Sequence, residues 1–482
     1  MPARTLSARV SRALRALGLA CAAVGLTATG SAVVGTQEGC ASDPPKATAP
    51  QPIRIGVSLG LTGGLASFAA PLRDSIRAAE GQINSNGGLL GRPVVFEVVD
   101  DQGDEGDLVV KVANDFVKER VVAVIGPIGS QQVKQTQAIY AANRILQISP
   151  SATSVELATL PEQPQGDRYL FRTTPADDFQ GAAVILFAQR TPGGLGGDAG
   201  APVGDGGGAV TPCRDLAIVN IKNSYGRSMA DVIEQFFPRR GGRVVVREEI
   251  NVDLEPSYGA SVAKVFAANP QCMTLITYED VGAKFIKELR ASSSFATLPP
   301  GFFIIGTDGT FTSGFLELGR ERANDPKSAN AVEGVYGTNP DTNPRTREYE
   351  DFRLIYSSYF PLADKADAPA FTANAYDAAI LIALAIQNAG STEGSAVRDA
   401  LLRVATPPGK PFGPSQLGEA LTALRQGQDI NYTGASGALD IDQKGNVESG
   451  YIVWKATRRE TGEVAFDTVG RFTLADLAEQ LK

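Results

Sequence analysis

From Ile53 onward the chain alternates short apolar, β-branched runs with longer stretches whose apolar residues recur every three or four positions. Runs of the first kind read as strands and those of the second as amphipathic helices. Ile53–Leu59 reads as a strand, 68–84 as a helix closed by Asn86, Gly87 and Gly88, and 94–99 as a second strand. A helix is predicted over 107–118, with Val109, Val110, Val112, Phe116 and Val117 on its apolar side and Asp107 placed to cap it. A strand at 121–125, a helix at 130–143 and a strand at 146–149 follow. Such alternation marks a parallel sheet with helices on both faces, and these elements complete one lobe of that kind.

The alternation then starts again. Helices are predicted at 183–190, 228–237, 261–269 and 281–290, with strands at 216–221, 244–250, 274–278 and 302–305 between and after them. An apolar helix at 373–389 and a closing hairpin of 450–454 with 464–466 come later. The stretch 191–211 is dominated by Gly, Ala, Asp and Pro, too little apolar surface to order itself, and reads as a flexible surface insertion. The fold class is therefore α/β, with two doubly wound lobes, and a length of 482 residues fits two such cores better than one.

Composition changes the picture chiefly at the N-terminus. Arg4, Arg9, Arg12 and Arg15 precede an uncharged, mostly apolar stretch over 16–36, which is the pattern of an export signal. Residues 1–40 read as that signal and 41–52 as a Pro/Ala/Thr-containing tether. Cys40, preceded by Gly39, is similar to the lipidated cysteine of a bacterial lipoprotein processing site, although Gln37 and Glu38 depart from that pattern. Cys21 is the rival lipidation position; ordinary signal cleavage and an uncleaved anchor are the alternatives. Export points to the periplasm, with a lipid anchor to a membrane through Cys40.

Beyond residue 40 the chain carries 41 Lys and Arg against 52 Asp and Glu, which argues against nucleic acid as a partner. There is no histidine, so the commonest general base, the Ser-His and Cys-His pairings and the commonest transition-metal ligand are all missing. The turn after the first strand lacks the dinucleotide-binding glycine spacing. The sequence therefore reads as a binding protein with no cofactor and no metal; an enzyme on a doubly wound scaffold is the remote alternative. Cys213 and Cys272 each precede a predicted strand. In an oxidising compartment they read as a disulfide, because the starts of the first and third strands of a doubly wound lobe lie side by side. Two buried free thiols are the other reading.

Ligands of open α/β sheets bind beyond the carboxyl ends of the strands. In the first lobe those ends carry Gly126 to Ser130, opening a helix, and Pro150 to Thr153, rich in hydroxyls and backbone donors that suit a carboxylate. In the second they carry Tyr225, Glu279, Asp280 and Asp308, acids and aromatics. Donors in one lobe and acids in the other suit a zwitterion. Taken singly, each has a plain structural reading: Ser130 as a helix cap, Thr153 and Asp308 as turn residues, Tyr225 as packing, Glu279 and Asp280 as the solvated start of a helix. Their common placement at strand ends is what favours a site.

Eight segments carry a family resemblance: Ile-Arg-Ile-Gly-Val-Ser-Leu-Gly-Leu-Thr-Gly at 53–63, Asn-Ser-Asn-Gly-Gly-Leu-Leu-Gly-Arg at 84–92, Val-Asp-Asp-Gln-Gly at 99–103, Ile-Gly-Pro-Ile-Gly-Ser at 125–130, Ile-Ser-Pro-Ser-Ala-Thr at 148–153, Phe-Arg-Thr-Thr-Pro-Ala-Asp at 171–177, Ser-Tyr-Gly at 224–226 and Ala-Tyr-Asp-Ala at 375–378. In order and spacing the chain resembles the branched-chain amino-acid-binding family (leucine/isoleucine/valine-binding-like) of ABC-importer receptors, with the type I periplasmic fold. The resemblance implies lobe 1 from 53–174 and 308–449, lobe 2 from 175–307 and 450–482, and hinge crossovers near 172–177, 307–308 and 449–452. It implies that a ligand carboxylate meets Ser130 and Thr153, and that its ammonium meets Thr153, the Ser151 carbonyl and Asp308. Tyr225 would close from one lobe and Phe68 from the other, with Tyr278 and Phe371 as further contacts. The implied function is capture of an amino acid or related small carboxylate by a monomer that delivers it to an inner-membrane ABC permease; a sensing receptor for amino acids or amides is the alternative. The insertion 191–211 and the segments 313–327 and 406–428 depart from the family pattern.

Overall fold

The computed structural model describes residues 50–160, 167–190, 212–360 and 369–482. The export segment with Cys21 and Cys40, most of the tether and the 191–211 insertion lie outside the described residues. The first lobe opens with β1 (Ile53–Leu59), α1 (Ala66–Ser85), β2 (Val94–Asp100), α2 (Asp107–Glu119), β3 (Ala123–Ile125), α3 (Ser130–Ala142), β4 (Leu146–Ser149) and β5 (Leu170–Arg172). The second follows with α4 (Asp177–Ala188), β6 (Asp215–Ile221), α5 (Ser224–Phe236), β7 (Arg243–Ile250), α6 (Gly259–Ala268), β8 (Cys272–Ile276), α7 (Glu279–Ala291), β9 (Phe303–Gly306), α8 (Ser313–Leu318) and β10 (Tyr336–Pro340). Next come α9 (Arg347–Tyr359), α10 (Thr372–Ala389), α11 (Gly394–Ala405), β11 (Lys410–Phe412), α12 (Leu417–Arg425), β12 (Ile430–Gly434) and β13 (Gly437–Ala438). The chain closes with β14 (Tyr451–Arg458), β15 (Val464–Phe472) and α13 (Leu474–Gln480).

The first sheet has the order β2-β1-β3-β4-β5, every pair parallel. Its central strands are buried on both faces, which is why they read as unbroken apolar runs rather than alternating ones. Ala123 and Ile125 point into the core shared with α1 and α10, while Val124 between them packs with Val112 and Phe116 of α2 and Tyr140 of α3. Helix α10 is apolar around its circumference because neighbours cover it on every side: α1, α11 and α12 along its length and β3 and β4 beneath. Among the described residues no helix is long and apolar enough to cross a membrane.

The second sheet has the order β15-β14-β10-β9-β8-β6-β7, parallel from β7 to β10 and antiparallel beyond. Here the reading of the sequence needs correction. Residues 308–340, expected in the first lobe, stay in the second, where β10 lies between β9 and β14. The middle crossover therefore falls between Pro340 and Arg347 rather than at 307–308, while the stretches 172–177 and 449–452 do lie where the chain passes between the sheets. The sequence of β10, Tyr-Gly-Thr-Asn-Pro, has little strand propensity of its own. Packing places it: the Trp454 ring of β14 lies so close over Gly337 that a Cβ there would fall 2.0 Å from it. A second correction concerns α2, where Asp107 is the first helical residue, Gly106 holds the cap position, and the Asp104 carboxylate ahead of it accepts the Leu108 N–H at 2.9 Å.

Cys213 and Cys272 form a disulfide, with Cα atoms 5.9 Å apart. The registry explains it. β6 and β8 are adjacent and parallel, Leu216 sits beside Cys272, and Cys213 is just ahead of β6. The bond closes a loop spanning 59 positions. Removing it by C213A/C272A should lower stability by roughly 2–4 kcal/mol in a urea titration; an unchanged midpoint would show that the bond adds nothing.

Candidate functional site

The loops at the carboxyl ends of the two sheets face each other. After β3 the chain turns at Gly126, where a φ of 94° and a Ser58 carbonyl 2.2 Å from where a Cβ would stand both call for glycine. The turn leads into α3 at Ser130. The Ser130 hydroxyl accepts the Thr153 N–H at 3.2 Å and the Ser154 N–H at 3.1 Å, tying the β3 and β4 loops together. With both lone pairs used, its hydrogen is left to donate into the cleft. The Ser151 hydroxyl donates to the Ile128 carbonyl at 3.0 Å, and the Asp177 N–H donates to the Thr153 carbonyl at 2.8 Å.

On the other side, Asn223 caps α5 by accepting the Gly226 N–H at 2.9 Å, which sets Tyr225 at the mouth of the helix. The Tyr225 hydroxyl donates to Asp308 Oδ1 at 2.7 Å and lies 2.7 Å from the Thr307 hydroxyl. Its ring stacks on Tyr278, centroids 5.8 Å apart and 9° from parallel. Asp308 is 3% exposed. Burial pushes its carboxyl up to about 6, against the pull of the Tyr225 hydroxyl and the Gly309 N–H. Burial also raises both tyrosine phenols, so they stay neutral donors near pH 7.

The first lobe supplies a second aromatic pair, Phe68 and Phe371, with centroids 6.1 Å apart. Phe371 sits at φ of 62°, a left-handed conformation uncommon for a bulky residue, immediately before α10. Such strain is typical of positions that the surrounding structure fixes for a purpose.

The eight residues singled out from the sequence, Phe68, Ser130, Ser151, Thr153, Tyr225, Tyr278, Asp308 and Phe371, all line one cavity between the lobes. Leu65, Ile128, Gly129 and Gly309 complete it. Ile128 and Gly129 belong to the Gly126 to Ser130 turn read as a binding loop, and Gly309 follows Asp308 in the loop after the last predicted strand of that lobe; Leu65 was not singled out, and no pattern in the chain marks it as lining. None of the lining residues is basic. Glu279 and Asp280 stand outside the cavity. Asp280 folds back on the Val281 N–H at 2.7 Å, as at an ordinary helix start, whereas Glu279 bonds Ser67 across the cleft at 2.6 Å. Asn223 to Glu105 at 2.7 Å, the Val155 N–H to Ser228 at 2.8 Å, and Ser224 to Glu156 also bridge the lobes. The structure is thus of the closed form.

The model of the periplasmic binding protein family matches residues 52–428, most of the chain. The chain belongs to that family. The Leu/Ile/Val-binding protein BraC3 of Rhizobium johnstonii is 26% identical over 341 residues, covering 71% of this chain and 80% of the relative. Among solved structures, the leucine binding protein LivK of Thermotoga maritima MSB8 superposes with a TM-score of 0.67 at 20% identity, covering 88% of this chain and 99% of that one. A solute binding protein of an ABC transporter from Rhodopseudomonas palustris BisB5, in complex with 3,4-dihydroxybenzoic acid, gives 0.62 at 15% identity, covering 88% and 97%. At these identities the two structures establish the type I periplasmic fold, which is the fold that the resemblance implied.

Proposed function

We propose that the protein is the substrate-binding component of an ABC importer and that it encloses an amino acid in the interlobe cleft for delivery to an inner-membrane permease. The observation that carries this reading is the division of the cavity. Ser130, Thr153 and the helix start of α3 offer donors to a carboxylate from one lobe, while Asp308, buried and with no cation beside it, offers a negative charge from the other. A zwitterion satisfies both at once. The aromatic pairs on either side suit an apolar side chain. Export and lipidation at Cys40 would keep such a receptor beside its permease.

The aromatic lining also favours a second reading, an aromatic carboxylate of the hydroxybenzoate kind. That ligand would set a second negative charge, or at best a phenol, against Asp308. A thermal-shift screen of residues 41–482 against the twenty amino acids and a panel of benzoates separates the two. A ligand at a hundred times its Kd adds about 2.7 kcal/mol of stability. Shifts with amino acids alone support the proposal; shifts with benzoates alone overturn it.

A further inference from the structure

Asp177 is a buried acid just behind the residues that line the cavity. It opens α4 at the first crossover, is 0% exposed, and neither carboxylate oxygen makes a well-formed hydrogen bond, the Thr153 hydroxyl being the one side-chain donor near enough to act on it. Buried carboxylates are almost always bonded by several donors, so one this poorly bonded needs a reason. Arg172 does not supply it: its Nε bonds Asn446 at 2.8 Å, its Nη1 bonds the Ala152 and Ser154 carbonyls at 3.2 and 2.9 Å, and Nη2 has no partner. Position does supply one. The Asp177 N–H is bonded to the carbonyl of Thr153, which lines the cavity; the Asp177 charge is felt by two more lining groups, Tyr225 and Tyr278, and Asp177 in turn feels the charge of a third, Asp308. Tyr451 and Asp178 also face this cluster, and no cation bonds to it.

We propose that Asp177 is a second carboxylate of the ammonium subsite, set behind Thr153 and opposite Asp308, so that the pair admits ligands bearing a positively charged nitrogen and turns away simple carboxylates. Burial and the repulsion of Asp308 hold the Asp177 carboxyl well above the ordinary range in the empty protein, and the Thr153 hydroxyl and Arg172 only partly offset them. A cation placed between the two acids ionises both. Without one, two negative charges cannot share a buried site.

This inference rests on the amino-acid reading, and the test keeps the two apart. L-leucine and L-phenylalanine are titrated calorimetrically into the wild type and D177N, alongside 4-methylpentanoate and 3-phenylpropanoate, the same molecules without the amino group. D177N should weaken the amino acids by roughly 10- to 100-fold, as loss of one partner in a buried charge pair does, and leave the deaminated acids unchanged or tighter. Equal losses for both kinds, or no loss for the amino acids, overturn the role of Asp177 while the amino-acid reading stands. If the wild type binds only the deaminated acids, the amino-acid reading itself falls. Should D177N fail to fold, the wild type still decides. Binding of an amino acid near pH 5, measured in buffers of different ionisation enthalpy, should release more than one proton per ligand. Release of one or fewer is what Asp308 acting alone would give, and would refute the pair.

Discussion

Replacing Asp308 with alanine should weaken amino-acid binding by about 2–5 kcal/mol, the range for truncating one partner of a buried charge pair. The carboxylate is 3% exposed and its side-chain donor is the Tyr225 hydroxyl at 2.7 Å. Without it, a ligand ammonium would keep only the hydroxyls of Tyr225 and Thr153 and the Asp177 carboxylate behind Thr153, too little to balance a charge in a buried cavity. The same substitution should have the opposite effect on the empty protein, because an acid held near a pKa of about 6 by burial destabilises the fold at neutral pH. Affinity down and ligand-free stability up is a combination that a general packing defect does not produce. Calorimetry with L-leucine and urea titration of the empty D308A and D308N variants measure the two halves. Near-normal affinity in both variants would remove Asp308 from the site.

How far this site was legible follows from what each residue depends on. Ser130, Thr153, Tyr225 and Asp308 fall just after strands whose apolar runs are continuous, and the end of a buried parallel strand is where an α/β fold opens to a ligand. Their positions could be read because the run before them could be read. Phe371 was accessible only through the family resemblance, since its placement turns on a left-handed backbone that no local pattern announces. Asp177 closes one of the family segments, yet its interest lies in being so poorly bonded, a property of the whole packing around it.

The same divide runs through the fold. β1, α2, α3 and β6 were plain from periodicity because their burial is strong on a defined face or on both. β10 was not, for its strand character comes from β9 and β14 on either side and from Trp454 over Gly337. Missing it is what moved the middle crossover by some thirty residues in the reading of the chain. Three-residue β11, Lys-Pro-Phe, had no pattern long enough to detect and is defined by its pairing with β12.

Stability of the empty protein should fall as pH rises from about 4 to about 7, and bound amino acid should cancel much of the fall. Burial raises Asp308 from 3.8 to about 6. A folded pKa above the unfolded one means that the folded state holds its proton more tightly. The stabilisation is complete below about pH 4 and lost as pH rises through about 6, where ionisation must occur inside the protein. A rise of about two units corresponds to roughly 3 kcal/mol. Asp377 on α10 is raised to about 6 as well, but there Tyr432, Ala435 and Ser436 all donate to it and no ligand reaches it, so its share is the same with or without ligand. Asp308 differs because an ammonium beside it removes the cause of the shift. Urea titrations at pH 4 to 7 should therefore show a steeper decline for the empty wild type than for D308N or for wild type saturated with amino acid. Affinity should run the other way, falling by up to about tenfold per unit for each acid as pH drops below its folded pKa. Parallel slopes in all three titrations would mean that Asp308 is already satisfied in the empty cleft, and that the cavity does not hold a charge waiting for its partner.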